Sequence, residues 1–363
     1  MKMLENEKME KTTIATEVSG TKRKLACVKR IDDLLPIEGA DKIEVAVVGG
    51  WKVVVKKGDF KKGELAVYLE IDSWVPTEVA PFLTKSGHEP KEYNGVKGER
   101  LRTVKLKKQI SQGLLLPTTT QNSAGAVAGA LFGEGDDVSD FLGIQRWEPP
   151  QEFRAANAKG IFPYFIPKTD CERVQNLSSQ VQQWAEEKVV FQKSEKLDGS
   201  SMTIFYKDGE VGVCSRNLEL KDDGTSTFWE TAKNEQLVEK LISFGKNIAL
   251  QGELLGGQIQ GNAYKITGFK FFLYDIYDID KQEYLQPEAV EKFAEESGVS
   301  HVPIIGYVTL PKEDIVQTLL SDADGNSAVG CNPKREGFVY KSTKDTSISI
   351  KCISNNWLLS NDG

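Results

Sequence analysis

Short apolar runs, separated by glycines and charged turns, fill the first third of the chain. The runs are Leu25 to Val28, Ile43 to Val48, Lys52 to Val55, Leu65 to Ile71, Leu101 to Leu106 and Leu114 to Leu116. Strands at this spacing, with no convincing helix between them, are typical of a small closed or nearly closed barrel. The segment Thr118 to Ala130 is rich in Thr, Ala and Gly and is interpreted as loop or weak helix.

Consecutive prolines mark the end of this β-rich part. Glu148-Pro149-Pro150 stops regular structure, because proline lacks an N–H and restricts the residue before it. Among small barrels the OB-fold is the economical choice. We therefore predict a flexible tail over residues 1–20, an OB-fold domain with its linker over 21–150, and a second domain over 151–363.

Strands and helices mix irregularly in the second domain. Ser178 is predicted to cap a helix that runs through Glu187, Leu237 to Ile242 has helical spacing, and Pro287 to Ser297 stops at Gly298. The predicted strands are Val189 to Gln192, Met202 to Tyr206, Val211 to Cys214, Ile248 to Leu255, Phe271 to Tyr277, Gly337 to Lys341 and Ile348 to Ile353. This order is neither strictly alternating nor all-β, so it predicts an α+β fold with mainly antiparallel sheets.

The charge of the chain is unevenly distributed. The net charge is −7, yet residues 21–117 hold 19 Lys and Arg against 13 Asp and Glu. The positive residues form knots: Lys22-Arg23-Lys24, Lys29-Arg30, Lys56-Lys57, Lys61-Lys62, Arg100 with Arg102, and Lys105 with Lys107-Lys108. Such knots fit either a nucleic-acid surface or an ordinary solvated one, and sequence alone leaves both open.

Cysteine and histidine usage narrows the possible chemistry. The five cysteines lie far apart, which predicts buried thiols in a reducing, intracellular and cytoplasmic setting. His88 and His301 are too few for a zinc site or a Ser-His-Asp triad. No apolar run that could serve as a signal peptide precedes the barrel, and no membrane span is predicted. Catalysis must then use Lys, Arg, Asp and Glu.

One ordered series of motifs supplies those residue types. Glu195-Lys196-Leu197-Asp198-Gly199 lies between two apolar strands and taken alone fits a hairpin equally well. Its companions follow in one order: Ser215-Arg216, Gln251-Gly252-Glu253, Leu273-Tyr274-Asp275, Glu336-Gly337-Phe338 and Ile350-Lys351-Cys352.

From Ile161 onward this series resembles the covalent nucleotidyltransferases, which comprise ATP-dependent ligases and mRNA capping enzymes. It looks most like the Deinococcus/Naegleria-type RNA ligases, which join a 3′-hydroxyl to a 5′-phosphate and carry an OB domain before the catalytic domain. Lys168-Thr169-Asp170 and Arg173 are similar to that family as well. DNA ligases fit less well, because only twelve residues follow Lys351 and Ser201 stands where those enzymes usually have arginine.

The resemblance implies a role for each motif residue. Lys196 would take AMP from ATP, with Lys351 as the second catalytic cation. Asp198, Glu253 and Glu336 would position Mg²⁺ or Mn²⁺. The nucleotide would be bound by Glu195, Arg216, Glu253, Tyr274, Asp275 and Arg173. One departure concerns the last motif, where some related RNA ligases have Lys-x-Lys and this chain has Ser349.

The chemistry sets a condition on Lys196. Its amine must be neutral to attack phosphorus, whereas a free lysine with a pKa of about 10.4 is almost wholly protonated at neutral pH. Burial, metal and the nearby cation Lys351 are expected to lower that pKa.

Two other functions stay open from the sequence. A capping-type guanylyltransferase would carry GMP on Lys196 in place of AMP, and a catalytically inactive relative would only bind RNA. The expected partners are RNA ends or a nicked duplex, and the expected oligomeric state is a monomer.

Overall fold

The computed structural model describes residues 23–148 and 157–361. The predicted tail at 1–20 and the proline pair of the proposed domain boundary lie outside the described residues. The amino-terminal strands are β1 Ala26–Arg30, β2 Asp33–Ile37, β3 Ala40–Val48, β4 Trp51–Lys56, β5 Leu65–Leu69, β6 Ser73–Pro76, β7 Lys91–Tyr93, β8 Val96–Arg100, β9 Thr103–Leu106, β10 Gln109–Gln112, β11 Leu114–Pro117 and β12 Gln145–Arg146.

The middle strand of the amino-terminal part, β5, is buried on both faces. It pairs with β1 and β11, and its side chains alternate between two apolar clusters. Val67 and Leu69 join one cluster, while Ala66 and Tyr68 join the other, which also contains Trp51. This strand therefore ties the two halves of the amino-terminal domain together.

The remaining strands form two larger sheets. They are β13 Ala158–Ile161, β14 Glu172–Arg173, β15 Val190–Lys196, β16 Ser200–Lys207, β17 Glu210–Cys214, β18 Leu218–Leu220, β19 Ile248–Gly256, β20 Phe269–Asp278, β21 Glu283–Tyr284, β22 Ile304–Thr309, β23 Gly337–Ser342 and β24 Ser349–Ile353. One sheet has the order β13-β18-β17-β16-β19-β20-β21 and the other β14-β24-β23-β15-β22. Among the strand pairs of the described residues, only β14 with β24 is parallel, so the prediction of mainly antiparallel sheets is confirmed.

The described residues also form α-helices. They are α1 Ala128–Leu131, α2 Ser178–Glu186, α3 Thr227–Asn234, α4 Leu237–Ser243, α5 Pro287–Ser297, α6 Ile315–Asp322 and α7 Asn355–Asn361. Helices α3, α4 and α5 bury their apolar faces against the seven-stranded sheet, and α2 and α6 against the five-stranded one. The facing sides of the two sheets are left to form a site.

Helix α7 packs away from the sheets that precede it in the chain. Leu358 and Trp357 join the apolar cluster of the amino-terminal strands that contains Trp51 and Tyr68. The end of the second predicted domain is thus part of the core of the first.

Some sequence predictions of local structure were wrong. Ser178 does not cap α2, because it is the first helical residue and Leu177 occupies the cap position without a side-chain hydrogen bond. Leu101 lies outside β9. Short strands such as β2, β7 and β22 were missed, since pairing with neighbours and not apolar alternation defines them. The interpretation of Thr118 to Ala130 is close, with a single turn of helix at its end.

None of the helices in the described residues combines the length and apolar character needed to cross a bilayer.

Candidate active site

The predicted nucleophile lies where the chain crosses between the two sheets. Strand β15 of the five-stranded sheet ends at Lys196, which pairs with Gly337 of β23. Strand β16 of the seven-stranded sheet begins at Ser200 and pairs with β19. The intervening Leu197, Asp198 and Gly199 form the crossing turn, so Lys196 and Asp198 face the space between the sheets.

Two backbone hydrogen bonds fix this turn. The Gly199 N–H donates to Glu253 Oε1 over 3.0 Å, and the Asp198 N–H donates to Tyr264 Oη over 2.8 Å. A Cβ at Gly199 would lie 2.5 Å from the Leu254 carbonyl oxygen, so only glycine allows β19 to come this close. Glu253 therefore acts on the turn as well as on the site.

The Lys196 amine is held by a carboxylate. Its Nζ lies 2.8 Å from the Glu336 carboxylate at the start of β23. Burial lowers the pKa of Lys196, but the carboxylates of Glu336, Glu253 and Asp198 outweigh it, and the pKa lies above its usual value. Burial and the protein cations alone therefore do not lower this pKa, because the negative charge of the acids outweighs them.

The three acids crowd one another around that amine. Burial and the neighbouring Glu336 raise the pKa of Asp198 to about 7, while burial, with a contribution from Glu336, raises the pKa of Glu253 to about 8. Buried carboxylates in such mutual repulsion are suited to a divalent cation, which would relieve it. No group of three acid, His or Cys side chains in the described residues is placed to ligate one metal directly. Hydrated Mg²⁺ favours a few carboxylates that hold its waters, and Asp198, Glu253 and Glu336 are of that type.

Lys351 projects from β24 into the same region. No hydrogen bond or ion pair engages its amine within the described part of the chain. Burial, together with the guanidinium groups of Arg173 and Arg23, lowers the pKa of Lys351 to about 8. Ser349, which replaces the additional lysine of some relatives, lies 3.0 Å from Cys171 Sγ. The extra positive charge near Lys351 comes instead from the two arginines.

Arg173 connects the site to the amino-terminal domain. It is 6% exposed, and its guanidinium lies 3.5 Å from Glu70 and 3.1 Å from Asp72. Glu70 also pairs with Arg23 and accepts a hydrogen bond from Asn176 over 2.9 Å. The Arg173 Nη1 has no partner among the described residues. Arg173 is therefore anchored by barrel acids, and within the described residues its Nη1 has no partner while its Nε makes an ion pair without a hydrogen bond.

The predicted nucleotide pocket lies beside β20. The Tyr274 hydroxyl is 2.8 Å from Thr169 Oγ1, and burial followed by the Glu253 carboxylate raises the pKa of Tyr274. Asp275 is paired with Lys341, whose Nζ lies 2.7 Å from its carboxylate and also donates to the Tyr274 carbonyl oxygen. Tyr274 thus faces the predicted site, whereas Asp275 is already neutralised by a neighbouring lysine.

Arg216 forms an ion pair with Asp170 close to Tyr274. Its Nη2 donates to Asp170 Oδ1 over 2.8 Å. Burial opposes ionisation of Asp170, but Arg216 and Arg146 outweigh it and lower its pKa to about 2. A small polar pocket is lined by Asp170, Arg216 and Gln251.

Glu195 is the most deeply buried of the predicted site residues. It is 1% exposed, and its Oε2 accepts the Ala328 N–H over 2.9 Å. Its other oxygen, Oε1, has no partner among the described residues. One acceptor beside Lys196 is therefore available to a ligand.

Sequence reasoning missed Tyr264, Lys341 and the barrel acids Glu70 and Asp72. Tyr264 lies outside every motif, and Lys341 ended a predicted strand but was given no role. Glu70 and Asp72 lie in the amino-terminal part of the chain, where the positive residues outnumber the acids. These residues can be recognised only in the folded structure, because contacts between segments far apart in the sequence bring them to the site.

Comparisons with known proteins agree with this arrangement. A family model described as RNA ligase matches residues 189–354, and an OB-fold domain family matches residues 25–118. The second match confirms the predicted OB-fold. A comparison with curated proteins gave no match.

Solved structures of Naegleria gruberi RNA ligase match almost the whole chain. An apo aspartate-to-alanine variant is 40% identical, with a TM-score of 0.85, covering 94% of this chain and 98% of that chain. A lysine-to-alanine variant with ATP and Mn is 41% identical, with a TM-score of 0.85, covering 93% of this chain and 99% of that chain. A lysine-to-methionine variant with AMP and Mn is 41% identical, with a TM-score of 0.85, covering 94% and 99%. Identity of this extent along the full length of both proteins means that the chain belongs to the RNA ligase family.

Proposed function

We propose that this RNA ligase consumes ATP and seals RNA 3′-hydroxyl and 5′-phosphate ends through an AMP adduct on Lys196. The observation that supports this role most directly is the position of Lys196 at the crossing turn, 2.8 Å from Glu336. Three transfers follow. Lys196 displaces pyrophosphate from ATP, the AMP passes to an RNA 5′-phosphate, and a 3′-hydroxyl then displaces AMP to join the strands.

The first transfer requires loss of a proton from Lys196. Glu336 is the nearest acceptor, since its carboxylate is already within hydrogen-bonding distance of the amine. Asp198, Glu253 and Glu336 would hold Mg²⁺ or Mn²⁺ through its waters. When bound, that ion offsets negative charge on the reacting phosphate. Lys351, whose amine has no protein partner among the described residues, would face the same phosphate.

The nucleoside is assigned to the side of the site near Tyr274. An aromatic ring gives adenine a flat surface, and the unpaired Glu195 Oε1 and Arg216 offer polar contacts. Arg173 would bind the outer phosphates with its remaining donor. Asp275 would act indirectly, since its carboxylate holds Lys341.

The RNA partner is proposed to be a pair of ends or a nicked duplex, bound by a monomer in the cytoplasm. The amino-terminal domain supplies exposed lysines for the phosphate backbone, among them Lys57, Lys105, Lys107 and Lys108. We place the end of this domain and its linker near residue 150, at the consecutive prolines.

Intact mass after incubation with ATP and Mg²⁺ or Mn²⁺ tests the assignment of Lys196. We expect the parent chain to gain one AMP and Lys196→Ala to gain none. Lys207→Ala, at the end of the neighbouring strand β16, is the matched control and should label normally. Full labelling of Lys196→Ala would remove that residue from its role, and labelling by GTP in place of ATP would favour a capping-type enzyme.

A further inference from the structure

Tyr264 reaches the crossing turn from outside every motif. It lies in the connection between β19 and β20 and is 3% exposed. Its Oη accepts the Asp198 N–H over 2.8 Å, and its ring packs in one cluster with Leu197. A single side chain therefore bonds to Asp198 and belongs to the apolar cluster of Leu197, the two residues that separate Lys196 from Gly199.

The connection that carries Tyr264 is held in a costly conformation. Gln260, Asn262 and Lys265 have φ values of 46°, 48° and 53°, in the left-handed region that side chains other than glycine rarely adopt. The Asn262 side chain bridges both backbone groups of Ile266, over 3.0 Å each. Strain of this kind persists only where the surroundings determine the conformation, and it is concentrated at functional sites.

A second segment fixes the tyrosine from the opposite side. The Tyr264 carbonyl oxygen accepts the Cys331 N–H over 3.0 Å. A Cβ at Gly330 would lie 2.0 Å from that oxygen, and the φ of Gly330 is +64°, so the contact depends on glycine. The phenol is thus positioned by backbone contacts on both sides of the residue.

The phenol is chemically suited to hold an amide near acids. A phenol has an ordinary pKa of about 10, so the Tyr264 hydroxyl is neutral near pH 7. A neutral hydroxyl accepts the Asp198 N–H without adding charge beside the carboxylates. Without that acceptor the amide would be buried and unpaired, which is unfavourable.

We propose that Tyr264 is a positioning residue for lysine adenylylation, whose hydroxyl holds the crossing turn so that Lys196 and the Asp198 carboxylate keep their alignment. This inference rests on the proposed function of Lys196. A displacement of reacting groups by a fraction of an ångström to 1 Å lowers rates by up to about 100-fold. The first transfer should depend on Tyr264 more than the last, in which Lys196 makes no attack.

Tyr264→Phe keeps the ring and removes only the hydroxyl. We expect the single-turnover rate of AMP transfer from ATP to Lys196 to fall on the order of 10-fold to 100-fold, with KM for ATP nearly unchanged. Sealing of RNA that already carries a 5′ AMP, measured on the same preparation, should fall less than about 2-fold. This second assay also reports the folded fraction.

Tyr340→Phe is the matched control, because it removes a buried hydroxyl that lies 3.3 Å from Asp322 in the core behind the same site. It should leave the ratio of the two rates unchanged. An unaltered ratio in Tyr264→Phe, whether both rates fall or neither does, would overturn the proposal. If the parent chain itself forms no AMP adduct, the proposed function fails and not the role of Tyr264 alone.

Discussion

At the scale of single residues, the site combines groups whose charges are set by their neighbours. Lys196 lies among acids that raise its pKa, whereas burial, followed by the charges of Arg173 and Arg23, lowers the pKa of Lys351. The two lysines therefore have opposite environments within one site. This division fits a nucleophile that gives up its proton to a carboxylate and a cation that meets phosphate.

Lys351→Met tests the second environment. We expect AMP transfer to Lys196 to fall about 100-fold or more, since a charge that faces the reacting phosphate is lost. The pKa of Lys351 in the folded chain, about 8, lies below its usual 10.5. Holding the charged amine in its buried site therefore destabilises the folded state, and this effect is fully present below pH 8. The variant should accordingly unfold at a higher temperature than the parent chain at pH 7.

The lowered pKa of Lys351 also predicts how the difference in stability between the two chains changes with pH. As pH rises from about 8 to 10.5, the free energy of unfolding of the parent chain should increase relative to that of the variant. Over this range only the unfolded state keeps the proton on Lys351. Ser349→Ala, two residues away on β24, is the control and should leave both properties close to those of the parent chain. A difference in unfolding temperature that stays constant with pH would contradict the assigned environment.

At the scale of elements, the β9–β10 hairpin gathers one of the charge knots predicted from sequence. Lys105, Lys107 and Lys108 are exposed, and the last two have left-handed φ values of 46° and 68° in the two-residue loop. In contrast, Lys56 is 3.8 Å from Asp59, and Arg100 pairs with Asp72. The knots therefore differ: within residues 23–148 and 157–361 no ion pair engages the three hairpin lysines, whereas Lys56 and Arg100 are paired.

Neutralising Lys105, Lys107 and Lys108 with glutamine should weaken sealing more than self-adenylylation. RNA affinity depends on lysines that displace counterions from phosphate, whereas AMP transfer to Lys196 needs no RNA. The RNA dissociation constant measured against salt concentration should show a smaller slope for the variant. Glutamine at Lys233, Lys281 and Lys292, which are exposed in the second domain, provides a control of equal charge. Equal loss of both activities would refute the separate role of the hairpin.

At the scale of the whole molecule, the two domains share an apolar cluster and are joined by ion pairs. Leu358 of α7 is 4% exposed and packs with strands of the amino-terminal domain. Arg173 forms its ion pairs with Glu70 and Asp72 across the same junction. The catalytic sheet is therefore held against the barrel by apolar contacts and by buried pairs.

Leu358→Ala should lower the free energy of unfolding by about 2 to 4 kcal/mol, because it leaves a cavity in the shared core. Urea unfolding followed by tryptophan fluorescence measures this, since Trp51 and Trp357 lie in the same cluster. Leu359→Ala, half-buried on the same helix, should cost less. A loss of stability in Leu358→Ala no larger than that in Leu359→Ala would mean that α7 does not support the barrel.

The sequence by itself determined the local elements and the chemical identity of the site. Apolar alternation and helix-ending residues located β3, β4, β16, β19, β20 and α5. The order of the motifs that contain Lys196, Glu253 and Lys351 resembles that of the RNA ligase family, and these residue types suit the proposed reaction. These features depend on neighbours in sequence or on the residue itself.

Only the tertiary structure decided how the charges act and what holds them. The raised pKa of Lys196, the pairing of Arg173 with Glu70 and the hydrogen bond from Asp198 to Tyr264 each join residues far apart in the chain. Electrostatic interactions and hydrogen bonds depend on distance in space and on burial, which no local pattern encodes. For that reason, the role of Tyr264 follows only from the folded structure, in which the connection between β19 and β20 contacts the crossing turn.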